Sequence, residues 1–242
     1  MPAQLEHMPD AKRNRILAGL ARHDLENLLA QAEHCPLDRG QLLVEANEPI
    51  RWVYFPLSGA ISLIMASING ATIEIALVGR EGLIGLPIML GSETTPINAL
   101  VPVQGDALRI SAPAFREQIK RYGVLVQRLH LFTQLLLVQV GQSTACTRHH
   151  SVRQRCARWL LMMHDRAEGD EYVLTQDLLA QMLGVRRASI TDAAAKLQQD
   201  GLIRYRRGAV TVVDRRALER AACDCYGIIK AEYDRLLGGT TS

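Results

Sequence analysis

Residues 175–213 carry the pattern that most narrows what this chain can fold into. Thr175 precedes an apolar series at helical spacing (Leu178, Leu179, Met182, Leu183), and Gly184 follows it directly. A threonine before the first turn offers an acceptor to an orphan N–H, and a glycine just past the last apolar residue closes a helix in the left-handed region. A second series, Ile190, Ala193, Ala194 and Leu197, repeats at i, i+3, i+4 and i+7 across 186–199 and stops at Asp200-Gly201. Two β-prone runs, 202–206 and 209–213, then flank Arg207-Gly208. Helix, tight turn, helix and hairpin in this order read as a winged helix-turn-helix.

If Ile190, Ala193, Ala194 and Leu197 face the core, then Arg187, Ala188, Thr191, Asp192 and Ala195 face outward. Short side chains let a helix sink into a major groove, and residues at its N-terminus reach base edges. Arg187 suits a bidentate contact to guanine, Ala188 and Thr191 suit thymine methyls, and Asp192 suits a cytosine amino group. Arg186, Ser189, Lys196 and the wing residues Arg206 and Arg207 are expected on phosphates, with double-stranded DNA as the partner. The plain alternative is an alanine-rich packed helix. The Arg-Arg start, the glycine turn and the basic hairpin weigh against it. Charge agrees: the chain carries only +3, but residues 186–216 hold eight basic side chains against three acids. A solvated basic face would give the same count.

Upstream, residues 10–34 read as helices, one with Ile16, Leu17 and Leu20, the other with Leu25, Leu28, Leu29 and Ala32 under an Asp24 cap. From Pro36 onward short β-prone runs alternate with turns, including Asn69-Gly70, a strong hairpin signal. Ser111 caps a helix that is interrupted near Tyr122-Gly123, and a helix of roughly 30 Å then runs from Val124 to about Ala145. It has one seam of Leu125, Leu129, Phe132, Leu136 and Val140, with Leu131, Leu135 and Val138 beside it. A helix apolar on two sides needs two partners, here the β domain and a second copy of the helix, and the first seam is expected to be the dimer seam. A single helix buried in a monomer is the alternative. Ser151–Arg166 is a further amphipathic helix, and Asp214 caps a last one bearing Leu218, Ala222, Cys225, Ile229 and Leu236.

Taken in order, these segments resemble the CRP/FNR transcription regulators over roughly residues 16–213. The resemblance rests on Gly40 with Leu43, on Val53-Tyr54-Phe55-Pro56 and Gly59, and on 79–85 (GREGLIG). It continues through Ile110 with Phe115 and through 178–184 (LLAQMLG) to Leu197 and Gly201-Leu202-Ile203. It implies an α+β chain with an N-terminal antiparallel β-roll of jelly-roll type, a long dimerisation helix and a C-terminal winged helix-turn-helix. The expected divisions are 1–122, 123–147 and 148–242. It also implies a homodimer on a two-fold symmetric DNA site, with RNA polymerase as a further partner if the protein activates.

Cyclic-nucleotide-binding members of that family look like Gly-Glu-Leu/Ile followed by Arg-Ser/Thr-Ala. Here the glutamate position is Leu83, and no basic residue lies between Arg80 and Arg109. The Thr-Ser pair that meets the purine falls at about Val140-Gly141. An anionic phosphate buried without a cation is costly, so ordinary cyclic AMP binding is not expected. The effector region is expected around Gly82, Leu83, Ile84, Gly85, Leu86, Ile97, Asn98, Leu136 and Val140. It is apolar, self-filled, or rebuilt for an unidentified small molecule, and no cofactor is assigned. An effector-independent regulator, and a ligand-binding or enzymatic roll whose C-terminal domain makes protein contacts, are the rival readings.

Other constellations read as structural. None of the seven histidines falls between residues 35 and 129, so the metal site of a cupin-type enzyme is missing; the regulator reading expects no catalysis. Cys223-x-Cys225 is expected to point its thiols to different helical faces, so no metal site is assigned. His130 reads as an ordinary histidine rather than a haem ligand, and Cys146 and Cys156 as small buried thiols. Five scattered cysteines suit a reducing compartment, and residues 1–8 lack the basic and apolar regions of a signal peptide. A cytoplasmic protein with no membrane partner is expected.

Overall fold

The computed structural model describes residues 11–66, 70–121 and 123–238. A 3-10 turn (Ala11–Arg13), α1 (Arg15–Ala18) and α2 (Arg22–Leu29) lead into the strands. Asn14 caps α1, accepting from the N–H groups of Ile16 and Leu17, while its amide donates to the carbonyls of Pro56 and Gly82. One fully buried side chain thus fixes the N-terminal segment to the body of the protein. The helical reading of 10–34 runs too long, because β1 (Ala32–Leu37) begins where it still expected helix and pairs antiparallel with β7. Ala21, not Asp24, is the N-cap of α2. Asp24 sits inside its first turn, where a carboxylate favours the helix dipole.

Two antiparallel sheets face each other. One has the order β1-β7-β3, with β3 at Trp52–Pro56 and β7 at Gly105–Ser111. The other has the order β2-β6-β4-β5, with β2 at Leu42–Val44, β4 at Ala60–Ala66, β5 at Thr72–Val78 and β6 at Ile97–Val103. Between them lie Phe55, Ile61, Leu77, Val101 and Leu108, all fully buried. β4 and β5 pair as the hairpin signal requires; Asn69 lies outside the described residues, and Gly70 has φ +80°. Helices α3 (Leu86–Met89) and α4 (Ala112–Arg121) close the roll, with the Ser111 hydroxyl accepting from the Ala114 N–H. The expected interruption at Tyr122 also lies outside the described residues.

α5 (Gly123–His149) packs its Leu125, Leu129 and Phe132 into the chain's own core, each without solvent exposure. This corrects the expected dimer seam. Those three residues are consumed by the roll, and Leu136 and Val140 are half-buried beside them. The ring of Phe132 lies directly over Gly82, so close that a Cβ there would stand 2.2 Å from it. The second partner of α5 is also unexpected: it is a C-terminal helix of the same chain.

That helix differs from the sequence reading as well. In place of one last helix there are two, α9 (Arg215–Ala221), capped by Asp214, and α10 (Cys225–Leu237). The backbone is extended at Ala222. The break lets α9 lie on α6 (Val152–His164) while α10 lies along α5, which one straight helix could not do. It also takes Cys223 out of the helix that carries Cys225, so the expectation that their thiols diverge fails. Both are buried next to Cys146 of α5.

The C-terminal half then runs β8 (Glu171–Val173), α7 (Gln176–Leu183), α8 (Arg187–Gln199), β9 (Ile203–Arg206) and β10 (Ala209–Val212). Its small sheet has the order β8-β10-β9. Polar links bind this half to the roll. Arg166 and Glu81 form an ion pair with side chains only 6% and 8% exposed, and the Trp159 indole donates to Glu74 of β5 at 2.9 Å. Below them α7 rests on β5, where the Gln181 amide donates to the Thr72 hydroxyl at 2.7 Å.

Candidate nucleic-acid interface and roll cavity

α7 starts at Thr175, whose hydroxyl accepts from the Leu178 N–H, and ends at Gly184 with φ +61°. α8 then begins with Arg186 as its N-cap. Ile190, Ala193, Ala194 and Leu197 are buried at 4% exposure or less, which turns Arg187, Ala188, Thr191, Asp192 and Lys196 outward. All five are exposed, Arg186 with them, and Ser189 is half-buried. The structure therefore gathers the predicted base-facing residues on one accessible surface of one helix.

Two of them are held by residues that the sequence reading passed over. Arg187 pairs with Asp177 at 3.3 Å, and the Thr191 hydroxyl donates to the Gln176 side chain at 2.7 Å. Gln176 and Asp177 occupy the first turn of α7, so this helix orients the outer face of α8. The position of Asp177, an acid two residues after a cap threonine, was a usable signal for the helix start but not for its contact with Arg187.

The wing is a two-residue hairpin in which Arg206 pairs with Ala209. Arg207 and Gly208 both have positive φ, +50° and +79°, as a type I′ turn demands. Arg206 and Arg207 are exposed on it. Among the described residues neither forms an ion pair, and the same holds for Arg186. Cations left to solvent beside a groove-sized helix can neutralise phosphates at little desolvation cost.

A cavity of about 200 Å³ opens between the roll and α5. Of the expected effector residues, Leu83, Ile84, Gly85, Leu86, Ile97 and Leu136 line it, joined by Val44, Ile50, Leu63 and Ala99, which were not singled out. Gly82, Asn98 and Val140 do not. Gly82 is covered by Phe132, the Asn98 side chain is spent accepting from the Ala46 N–H at 2.9 Å, and Val140 lies a helical turn beyond Leu136. Every lining residue is apolar except Thr95 and Gly85, so an anionic phosphate there would meet no cation.

A roll of two antiparallel sheets, a long helix along it and a winged helix-turn-helix with an open basic face define a class: a helix-turn-helix regulator carrying a cyclic-nucleotide-binding-like domain. Comparison with known proteins agrees. The family model for the cyclic nucleotide-binding domain matches residues 35–122, and the one for the Crp-like helix-turn-helix domain matches residues 154–221. The chain belongs to the CRP/FNR family of transcription regulators.

Solved structures share the fold at low identity. FixK2 from Bradyrhizobium japonicum superposes with a TM-score of 0.67 at 15% identity, over 79% of this chain and 98% of that one. A CRP/FNR-family transcriptional regulator from Eubacterium rectale gives 0.66 at 18% identity, over 85% and 96%. The c-di-GMP-responsive global regulator CLP of Xanthomonas campestris gives 0.62 at 17% identity, over 79% and 99%. No curated protein matches the chain.

Proposed function

We propose that this regulator binds a palindromic DNA site as a homodimer in the cytoplasm, has no catalysis of its own, and does not use cyclic AMP. The observation that carries the reading is the outward face of α8: short side chains behind Arg187 at the helix N-terminus, with Arg206 and Arg207 on the adjoining wing. Each protomer places α8 in one major groove, with the half-sites about 34–36 Å apart. Arg187 reads a base, helped by Ala188, Thr191 and Asp192, while Arg186, Ser189, Lys196, Arg206 and Arg207 hold phosphates. The dimer seam is the face of α5 that its own chain leaves open. Val124, Gln127, Gln134, Leu137, Gly141 and Thr144 are exposed there at heptad-like spacing, Leu137 at 70%. RNA polymerase is a further partner if the protein activates.

The small apolar cavity favours a second, narrower reading, in which DNA binding needs no cyclic nucleotide. A cyclic dinucleotide, such as the one to which the Xanthomonas regulator responds, carries two phosphates and fits that lining no better.

The test is a selection of effector-free protein on random duplex DNA, followed by titration of the enriched site. A palindrome should emerge. Arg187→Ala should cost about 1–3 kcal/mol on it and relax specificity at one base pair, while Lys196→Ala should weaken all duplexes alike and flatten the salt dependence. Equal losses from Arg187→Ala on every duplex would contradict base reading.

A further inference from the structure

Four soft or borderline ligands converge where α5 meets the C-terminal half. Cys146 lies one turn from the end of α5, His150 lies in the joint before α6, and Cys223 and Cys225 flank the start of α10. Their ligand atoms all stand within 4.8 Å of one another. Cys146 Sγ is 3.4 Å from Cys223 Sγ, and His150 Nδ1 is 3.4 Å from Cys225 Sγ. We propose that Cys146, His150, Cys223 and Cys225 are the ligands of a tetrahedral zinc ion that fastens the C-terminal helices to the junction of α5 and α6.

The distances suit one ion. Zinc–sulfur and zinc–nitrogen bonds of about 2.3 and 2.0 Å give tetrahedral edges of roughly 3.5–3.8 Å. The observed separations need only small side-chain rotations to reach them. They are far from the ~2.05 Å of a disulfide, and all five cysteines are free. The set is also too tight for a multi-iron cluster, whose thiolate ligands stand several ångströms further apart. Three sulfurs and one imidazole with no open position are the donors of a structural zinc site, and soft thiolates select zinc over magnesium, calcium or manganese.

The surroundings provide what such an ion requires. His150 presents Nδ1 to the cluster, and its Nε2 lies 3.3 Å from the Asp224 carboxylate, the outer partner that fixes the tautomer and orientation of a zinc-bound imidazole. Three thiolates around a dication leave one negative charge. Two buried arginines of α6, Arg155 and Arg158, act electrostatically on this cluster. Arg158 Nε and Nη1 are buried without a hydrogen-bond partner, so the guanidinium keeps donors and charge available on the side of this cluster as well as acting on Glu74. Zinc binding would take up the thiolate forms of the three cysteines and release their protons.

The ion would tie together segments more than 70 residues apart in sequence, at the point where the chain leaves the proposed dimer helix for the DNA-binding half. The test uses the full chain, purified without chelators. Mass spectrometry should find a single zinc per protomer. Protein reloaded with cobalt(II) should show thiolate-to-cobalt charge transfer and the intense d–d bands of a tetrahedral site. Cys223→Ser, Cys225→Ser and His150→Ala should lose the metal, whereas Cys35→Ser and Cys156→Ala should keep it.

Zinc removal should also lower Tm, and zinc readdition should restore it. Sub-stoichiometric zinc with no cobalt spectrum on the wild-type chain would overturn the proposal, even if the ligand variants fail to fold. Iron with acid-labile sulfide, or full zinc retention by Cys223→Ser, would overturn it equally.

Discussion

Replacing Glu74 by glutamine should remove a pH-dependent strain from the contact between the roll and the winged half. The Glu74 carboxylate sits between two fully buried partners, accepting from the Ser62 hydroxyl at 2.5 Å and from the Trp159 indole at 2.9 Å. Burial lifts its pKa from the ordinary 4.5 to about 7, although both hydrogen bonds and the arginines Arg158 and Arg166 pull the other way. The folded state therefore holds a proton that the unfolded chain has released between about pH 4.5 and 7. Over that window folding binds a proton, so stability falls as pH rises. At about 1.4 kcal/mol per pKa unit the full penalty reaches up to about 3 kcal/mol by pH 8, and it is absent below about pH 4.5.

Glutamine keeps an acceptor for Trp159 and can donate to Ser62, but it never charges. The assay is urea unfolding followed by tryptophan emission, because Trp159 is one of only two tryptophans and touches the group in question. The two proteins should unfold at similar urea concentrations near pH 5. Glu74→Gln should pull ahead progressively toward pH 8. Glu74→Ala should instead lose stability at every pH, because it strands both donors. A Gln-minus-Glu difference that stays constant from pH 5 to 8 would refute the reasoning.

Two further outcomes are expected. Glu81→Ala leaves Arg166 charged and buried, and should cost about 3–5 kcal/mol; the double variant Glu81→Leu, Arg166→Met should recover most of the lost Tm. Leu137→Glu should convert the proposed dimer to monomer in sedimentation velocity with little change in monomer stability, whereas Leu129→Ala should cost about 2–5 kcal/mol as a core cavity.

The candidate DNA interface was legible almost completely, for a local reason. Which face of α8 is buried follows from a 3.6-residue period within one helix, and the caps Thr175 and Asp214 and the turns at Gly184 and Arg207-Gly208 act over two to four residues. The roll was legible as alternating strands and turn residues, with β1 missed because 32–37 reads as well for a helix end as for an edge strand. The cavity was half legible. A sequence motif points to Leu83 and its neighbours, but Val44, Ile50 and Leu63 reach it only through strand pairing across the sheet.

What the sequence determined by itself, then, is every feature whose cause lies within a turn or two of chain: element types, the winged motif, the outward residues of α8, and the mismatch with a phosphate-binding roll. What only the tertiary structure decided is which partner each apolar face obtains. α5 is apolar nearly all round, so its period cannot say which seam meets the roll, which meets α10 and which is left for another copy. That depended on the break at Ala222–Asp224, which sends α10 back along α5. The same break aims Cys223 and Cys225 at Cys146 and His150. The Arg166–Glu81 and Trp159–Glu74 contacts, each spanning 85 residues, depend likewise on two halves meeting in space. Their energies come from removing paired polar groups from water, and only the assembled fold excludes the water.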